Sequence, residues 1–233
     1  MGEVASSEAD ANASAFNSRG RGRPRVPRLD RARITAAALA LIRSGGLQRL
    51  TMRALAERLN VSPGALYHHV ESRGTVLAWV QEEVSAHLNV SGFGALSLRE
   101  ALAQWAWSYL RFLRAHPALV DVIVAVPVAQ TAATSLMYQR IAAAFRTAGW
   151  YDRSILPSLS AIETFIFGAA LDSVGPENVY EPEPNSGAAV LGDTQAAFAA
   201  LVQETGEHEH DLVFQLGLDA MLTGLQMRWG DRR

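Results

Sequence analysis

Residues Thr51 to Val70 read TMRALAERLNVSPGALYHHV, and this stretch decides the fold. Met52, Leu55, Ala56 and Leu59 recur at i, i+3, i+4 and i+7, so they line one face of a helix while Arg53, Glu57 and Arg58 point away from it. Thr51 suits an N-cap and Asn60 a left-handed helix end. Ser62 then caps a second helix, with Pro63 in its first turn, where a missing N–H is harmless. Leu66 and Val70 face inward, leaving Pro63, Gly64, Tyr67 and His68 outward. Gly64 and Ala65 carry almost no side chain, so the backbone there can approach another surface closely. Two short helices around a tight turn with such an outer face form a helix-turn-helix able to enter a DNA major groove. The alternative is an ordinary helical hairpin with a polar face.

Charge favours the first reading. The whole chain is near neutral at −2, but twelve Arg stand against three acids between Arg19 and Arg73, a net of +9. From Gly74 onward nine Arg face seventeen acids, a net of −8. Phosphate neutralisation needs local positive charge, so the pattern implies a nucleic-acid module joined to an acidic module with another task. Every basic residue is Arg. Lys is avoided by GC-rich coding, and only the clustering of the Arg residues is informative.

Working outward, residues 1–28 form an Arg-rich arm expected to be disordered, its small polar beginning running into RGRGRPRVPR (Arg19 to Arg28). Two readings of the arm stay open. Arg21 and Arg23 lie along a narrow minor groove, or the arm is a loose basic tail adding salt-sensitive affinity. A first helix is expected from about Asp30 to Ser44, with Ile34, Ala37, Ala38 and Leu41 inward and Gly45-Gly46 as its stop. Ser72 caps a connecting helix over 73–89. The domain reading is 29–72 for the helix-turn-helix and 73–233 for the second module.

That second module also reads as helical. Helices are expected over Leu98–Ala115, Thr131–Ala148, Asp152–Val174, Asp193–Thr205 and Glu207–Trp229, with a short apolar segment between Pro117 and Pro127 and a long loop over 175–192. Helices apolar on two faces, such as the first and third, are buried on both. No strand and no internal repeat is evident. The fold class is therefore all-α: an N-terminal three-helix helix-turn-helix domain plus a larger helical domain.

Composition excludes several functions. The 233 residues are 49% hydrophobic, enough for a core, and contain no Cys, hence no disulfide, thiol nucleophile or zinc finger. No signal-peptide core is visible, and the longest apolar run, around Leu119 to Ala129, is too short for a bilayer. The chain is expected to be cytoplasmic and free of membrane. No nucleophile elbow, phosphate loop or HExxH motif points to an enzyme, and no cofactor is expected. In the run Glu207-His208-Glu209-His210 neighbouring helical side chains diverge, so only spaced pairs such as Glu207–His210 or Glu207–Asp211 could share an ion, and a solvated helix start is the expected reading; His68 and His69 diverge likewise and are not a metal site.

The chain resembles the tetracycline-repressor (TetR/AcrR) family of one-component bacterial regulators. The resemblance rests on Thr51, Arg53, Leu55, Ala56, Val61, Leu66 to Val70 and Arg73, and in the second half on SLSAIETFIFGAALD (Ser158 to Asp172) and FQLGLDAMLTGL (Phe214 to Leu225). It implies a homodimeric repressor released from a palindromic operator by a small molecule. It implies that Arg53 and Pro63, Gly64 and Ala65 contact bases, that Thr51, Tyr67, His69 and Arg73 hold phosphates, and that Ser62 and His68 lie on the same face. The helices at 152–174 and 207–229 would pair with their mates through Leu159, Ile162, Ile166, Ala169, Gly217, Ala220 and Gly224.

For the effector, the resemblance places Ile123 and Asn89 where tetracycline repressors use His, whereas Asp172 matches an acidic pocket residue. The expected lining is Trp105, Tyr109, Phe112, Ile123, Val126, Met137, Ile141 and Phe165, which suits an apolar or aromatic molecule. Gln104, Gln139, Thr164 and Asp172 are the polar candidates to orient it. The competing reading takes these aromatic residues as core. Other functions weighed against the regulator are a non-specific architectural DNA-binding protein, and a helical small-molecule-binding protein or enzyme.

Overall fold

The computed structural model describes residues 29–127, 131–175, 179–184 and 186–230. Among these, all regular structure is helical apart from an isolated bridge between Phe93 and Leu96. The arm, with Arg21 and Arg23, lies outside the described residues.

Helix α1 (Arg31–Gly45) begins where the Asp30 carboxylate accepts the Arg33 N–H at 2.9 Å. It ends at Gly46, whose φ of 78° turns the chain into a short 3-10 segment, Leu47–Arg49. Helix α2 (Met52–Leu59) is capped by Thr51 and closed by Asn60 in the left-handed conformation (φ 57°, ψ 46°). Helix α3 (Pro63–Tyr67) is capped by Ser62, and α4 (Arg73–Ala86) by Ser72. Each cap satisfies a backbone donor that the first helical turn leaves orphaned. Ile34, Ala38 and Ile42 of α1, Leu55 of α2, Leu66 of α3 and Val76 and Val80 of α4 are buried together with Leu50. Truncating one such Leu to Ala costs about 2–5 kcal/mol, so this small core holds α3 rigidly against α2.

The second bundle comprises α5 (Leu98–Ala115), α6 (Val120–Ala125), α7 (Ala132–Thr147), α8 (Asp152–Asp172), α9 (Ala189–Thr205) and α10 (Glu209–Trp229). Helix α5 starts with a full capping box between Ser97 and Glu100. It buries Leu102, Trp105, Tyr109 and Leu113 and packs on α8, which buries Ile155, Leu159, Ile162 and Ile166, and α8 packs in turn on α10, which buries Phe214, Leu218 and Leu222. A polar seam joins α5 to α10 as well: Trp107 Nε1–H donates to Gln215 Oε1 at 2.8 Å, and Arg99 pairs with Asp219 at 2.9 Å.

Several boundaries differ from expectation. Helix α4 stops at Ala86, because His87 begins a turn, and the expected loop over 175–192 gives way to α9 four residues early, at Ala189. Helix α9 has no buried residue. Among the described helices, α8 alone has the length and apolarity to cross a membrane. Its inner face packs on α5, as a bundle helix does.

Candidate DNA interface and ligand-facing core

The helix-turn-helix presents one continuous outer face. Thr51, Arg53, Ser62, Pro63, Gly64, Tyr67, His68 and His69 are all exposed on it, with Ala65 half-buried among them. A Cβ placed on Gly64 would meet nothing within 4 Å, so the face is open there. Two of the hydroxyls are engaged: Thr51 Oγ1 accepts the Ala54 N–H and Ser62 Oγ accepts the Ala65 N–H, each at 3.1 Å. Arg53 Nε donates to Glu57 at 2.9 Å, an exposed i,i+4 pair worth about 0.3–0.5 kcal/mol and therefore easily exchanged for another anion.

Arg73 stands apart from this set. Its Nε donates to the Leu50 carbonyl at 2.6 Å and its Nη2 to the Leu47 carbonyl at 3.0 Å. The guanidinium expected to hold phosphate is thus a staple between α4 and the turn preceding α2, with its remaining N–H groups on an exposed residue.

Helix α4 connects this head to the second bundle. Near its middle Arg31 pairs with Glu82, and the guanidinium lies 5.1 Å from the Trp79 ring centre. On its other side Gln81 Nε2 donates to the Val126 carbonyl at 3.3 Å, and the Ser85 and Thr134 hydroxyls are 2.9 Å apart. Sequence reasoning named none of Gln81, Ser85 and Thr134 as functional; a buried Gln in an apolar helix was the available signal.

The expected ligand-lining residues do not form one wall. Trp105 and Tyr109 pack together (centroids 5.6 Å), and Phe167 meets Tyr109 edge-on at 5.6 Å. Phe112 belongs to a second group, between His87 at 5.1 Å and His116 at 4.9 Å. Phe165 belongs to a third: it stacks on Phe214 at 5.2 Å, and the Trp107 ring meets Phe214 edge-on at 4.8 Å. Val126, Met137 and Ile141 are buried and Ile123 is half-buried. Asn89 and Asp172 lie at the surface. Asn89 Oδ1 accepts from Ser91, and Asp172 lies 3.5 Å from His210. One cavity of about 290 Å³ opens between the start of α5 and the ends of α7 and α10, beside Leu102, Phe145, Trp150 and Leu222, and no expected ligand residue lines it.

Two residues absent from the expected set are central to the first aromatic group. The Tyr138 hydroxyl donates to Glu163, half-buried midway along α8. Burial pushes the Glu163 carboxyl up to about 7, partly offset by that hydrogen bond. Burial, then Glu163 and Tyr138, push the Tyr109 phenol well above its ordinary value, so it stays neutral. In the second group, burial and then Arg43 hold His116 below the ordinary His range. Arg43 Nη2 lies 3.4 Å from His116 Nε2 and can only donate, which suits a neutral ring.

The expected dimer contacts need correction. Leu159, Ile162 and Ile166 are buried in the protomer's own core, against α5. Gly217 also faces inward: a Cβ there would lie 2.6 Å from Phe165 Cζ. Ala169 is half-buried, while Ala220 and Gly224 are exposed, and Gly224 has open space where a Cβ would be.

A rigid, open α2–α3 face carrying Arg, Tyr and His, joined by one helix to a separate helical bundle, defines a helix-turn-helix DNA-binding regulator. Residues 34–77 match the family described as bacterial regulatory proteins, tetR family, and residues 94–229 match the tetracyclin repressor-like C-terminal domain. The chain belongs to the tetR family of bacterial transcriptional regulators. It is similar to the HTH-type transcriptional repressor DrrR1 of Streptomyces coeruleorubidus, at 28% identity over 145 residues, 62% of this chain. It spans about half of that relative's length (53%). Among solved structures it is similar to ActR of Streptomyces coelicolor in complex with (S)-DNPA, with TM-score 0.68 and 22% identity over 85% of this chain and 98% of that one. It is also similar to BioQ with its double-stranded DNA operator, with TM-score 0.55 and 23% identity over 73% of this chain and 99% of that one.

Proposed function

We propose that the protein is a homodimeric repressor whose α2–α3 face reads a palindromic operator and whose second bundle binds a small effector that releases it. Arg53 and the backbone around Pro63, Gly64 and Ala65 contact base edges, while Thr51, Tyr67, His68 and His69 contact phosphates. The observation that carries this reading is α4. One end packs in the head through Val76 and the Arg73 staple, and the other is hydrogen-bonded through Gln81 and Ser85 to α6 and α7. An effector that binds the second bundle better when α4 is displaced shifts the two heads away from half-site spacing. ActR bound to (S)-DNPA and BioQ bound to its operator support the two halves of this reading by analogy.

The dimer is built on the exposed strips of α8 and α10. Leu156, Ser160, Thr164, Gly168 and Leu171 fall on one line of α8, and Val213, Leu216, Ala220, Gly224 and Met227 on one line of α10. Leu156, Leu216 and Met227 are 68%, 72% and 82% exposed, an apolar surface that a lone protomer leaves in water. A partner copy covers it, and Gly224 and Gly168 let the helices approach.

Fluorescence anisotropy of the full chain on DNA flanking its own gene, with excess random competitor, tests the proposal. Competitor-resistant binding at two-fold symmetric half-sites is expected. Binding that random DNA removes from every flanking fragment would favour an architectural protein.

A further inference from the structure

Glu163 is a carboxylate in the wrong solvent. It is half-buried midway along α8, with Ile162, Phe165 and Ile166 close to it in the chain. None of the ion pairs among the described residues involves it. The groups facing it from the packed helices are neutral: the Tyr138 hydroxyl from α7 and the Tyr109 phenol from α5. A carboxylate offers about four lone-pair positions, and here one donor, Tyr138, serves it. Withdrawing a charge from water is costly unless further donors compensate it, so the carboxylate has unmet capacity for a donor or cation. The surrounding rings are the other half of the observation. Tyr109, which feels the charge of Glu163, is packed against Trp105 and meets Phe167 edge-on, and Tyr138 touches the carboxyl directly, so aromatic rings border the anion. A negative carboxylate with aromatic faces is complementary to an organic cation and to no neutral hydrocarbon.

We propose that Glu163, with the rings of Tyr109 and Tyr138, is a subsite for a protonated amine, so that the effector is an aromatic amine and not merely an apolar molecule. The proposal rests on the effector-binding reading of the second bundle and narrows its ligand class. The ammonium group adds its donors to the carboxylate lone pairs that Tyr138 leaves free, and the aromatic part of the ligand replaces contacts among Trp105, Tyr109 and Phe167. Binding such a cation also fixes the carboxyl in its ionised form.

The test uses a probe pair of equal shape, 1-naphthylmethylammonium and neutral 1-naphthalenemethanol, titrated calorimetrically into the protein at mildly alkaline pH. The expected result is that the ammonium binds at least about tenfold more tightly than the alcohol. That preference disappears in Glu163→Gln, which keeps the shape and the hydrogen bond but removes the charge. Circular dichroism establishes that the variant is folded. A second variant, Tyr138→Phe, keeps charge and ring and is expected to retain the preference. Equal binding of the two probes, binding of neither at millimolar concentration, or an ammonium preference that survives in Glu163→Gln overturns the proposal. The two readings fail separately. A Glu163-dependent ammonium preference without release of operator DNA sinks effector release and leaves the subsite. Release by a neutral compound with the same midpoint in wild type and Glu163→Gln leaves effector release and sinks the amine class.

Discussion

The Gln81 side-chain amide donates to the Val126 carbonyl at 3.3 Å, tying the middle of α4 to the end of α6. One turn on, Ser85 meets Thr134 at the start of α7. Through these bonds a rearrangement near α6 or α7 is felt by a helix whose other end positions the DNA-reading head. Gln81 Oε1 is buried without a partner, so this contact carries less stability than a fully satisfied amide would.

Cutting both bonds with Gln81→Met and Ser85→Ala frees α4 from the second bundle while leaving its packing in the head intact. Two lost hydrogen bonds are worth about 1–2 kcal/mol, or roughly tenfold in local opening. Hydrogen exchange is therefore expected to quicken about tenfold over residues 77–86 and to stay unchanged in α2. Uniform quickening of both helices would mean that the bonds only support the global fold.

Gly217 and Leu216 are neighbours with opposite surroundings, and substitutions separate them. In Gly217→Ala the new methyl meets the Phe165 ring, which is stacked on Phe214, and overpacking of this kind costs about 1–3 kcal/mol. A lowered Tm is expected, with dimerisation otherwise retained. Leu216→Glu places a charge on the outer strip, where the proposed partner would desolvate it, and sedimentation should show a folded monomer. A dimeric Leu216→Glu protein would remove α10's outer strip from the interface.

The half-buried Glu163 makes stability depend on pH with a defined sign. Its folded-state value, about 7, lies above the ordinary 4.5, so the folded state holds the proton more tightly. That contribution is complete below the unfolded value and is lost as pH rises through the folded one. His116 runs the other way: its lowered value makes stability fall as pH drops below the ordinary His value of 6.5. Because both proteins share His116, the difference between Glu163→Gln and wild type isolates the carboxyl. Denaturant midpoints should favour the variant increasingly with rising pH, by up to about 3 kcal/mol at mildly alkaline pH. A pH-independent difference would place the carboxyl in contact with water or a cation.

The helix starts were legible because capping is local chemistry: Asp30, Thr51, Ser62 and Ser72 each announce a helix to residues three positions away. The open face of α2–α3 was legible for the same reason, since a short helix with Leu66 and Val70 inward has little freedom in what it shows outward. The dimer face was not. Helix α8 is apolar on more than one side, and periodicity does not say whether Leu159, Ile162 and Ile166 or Leu156, Gly168 and Leu171 meet the protomer's own core; the packing of α5 decides it. The grouping of the aromatic residues was not legible either. Phe112 and Phe165 are as aromatic as Tyr109, yet tertiary orientation sends them into separate stacks. Glu163 carries a signal in the sequence, a lone acid amid Ile162, Phe165 and Ile166.

The central claim is that the α2–α3 face reads sequence, and Arg53 tests it most directly. Its side chain is 85% exposed and its pair with Glu57 is weak, so Arg53→Ala removes a reading group without disturbing the fold. The measurement is the affinity of wild type and Arg53→Ala for operator and for random DNA at one salt concentration. The account predicts a loss on the operator of about 1–3 kcal/mol and a much smaller loss on random DNA, so that the specificity ratio collapses. Equal losses on both would make Arg53 a phosphate contact and contradict base reading by this face.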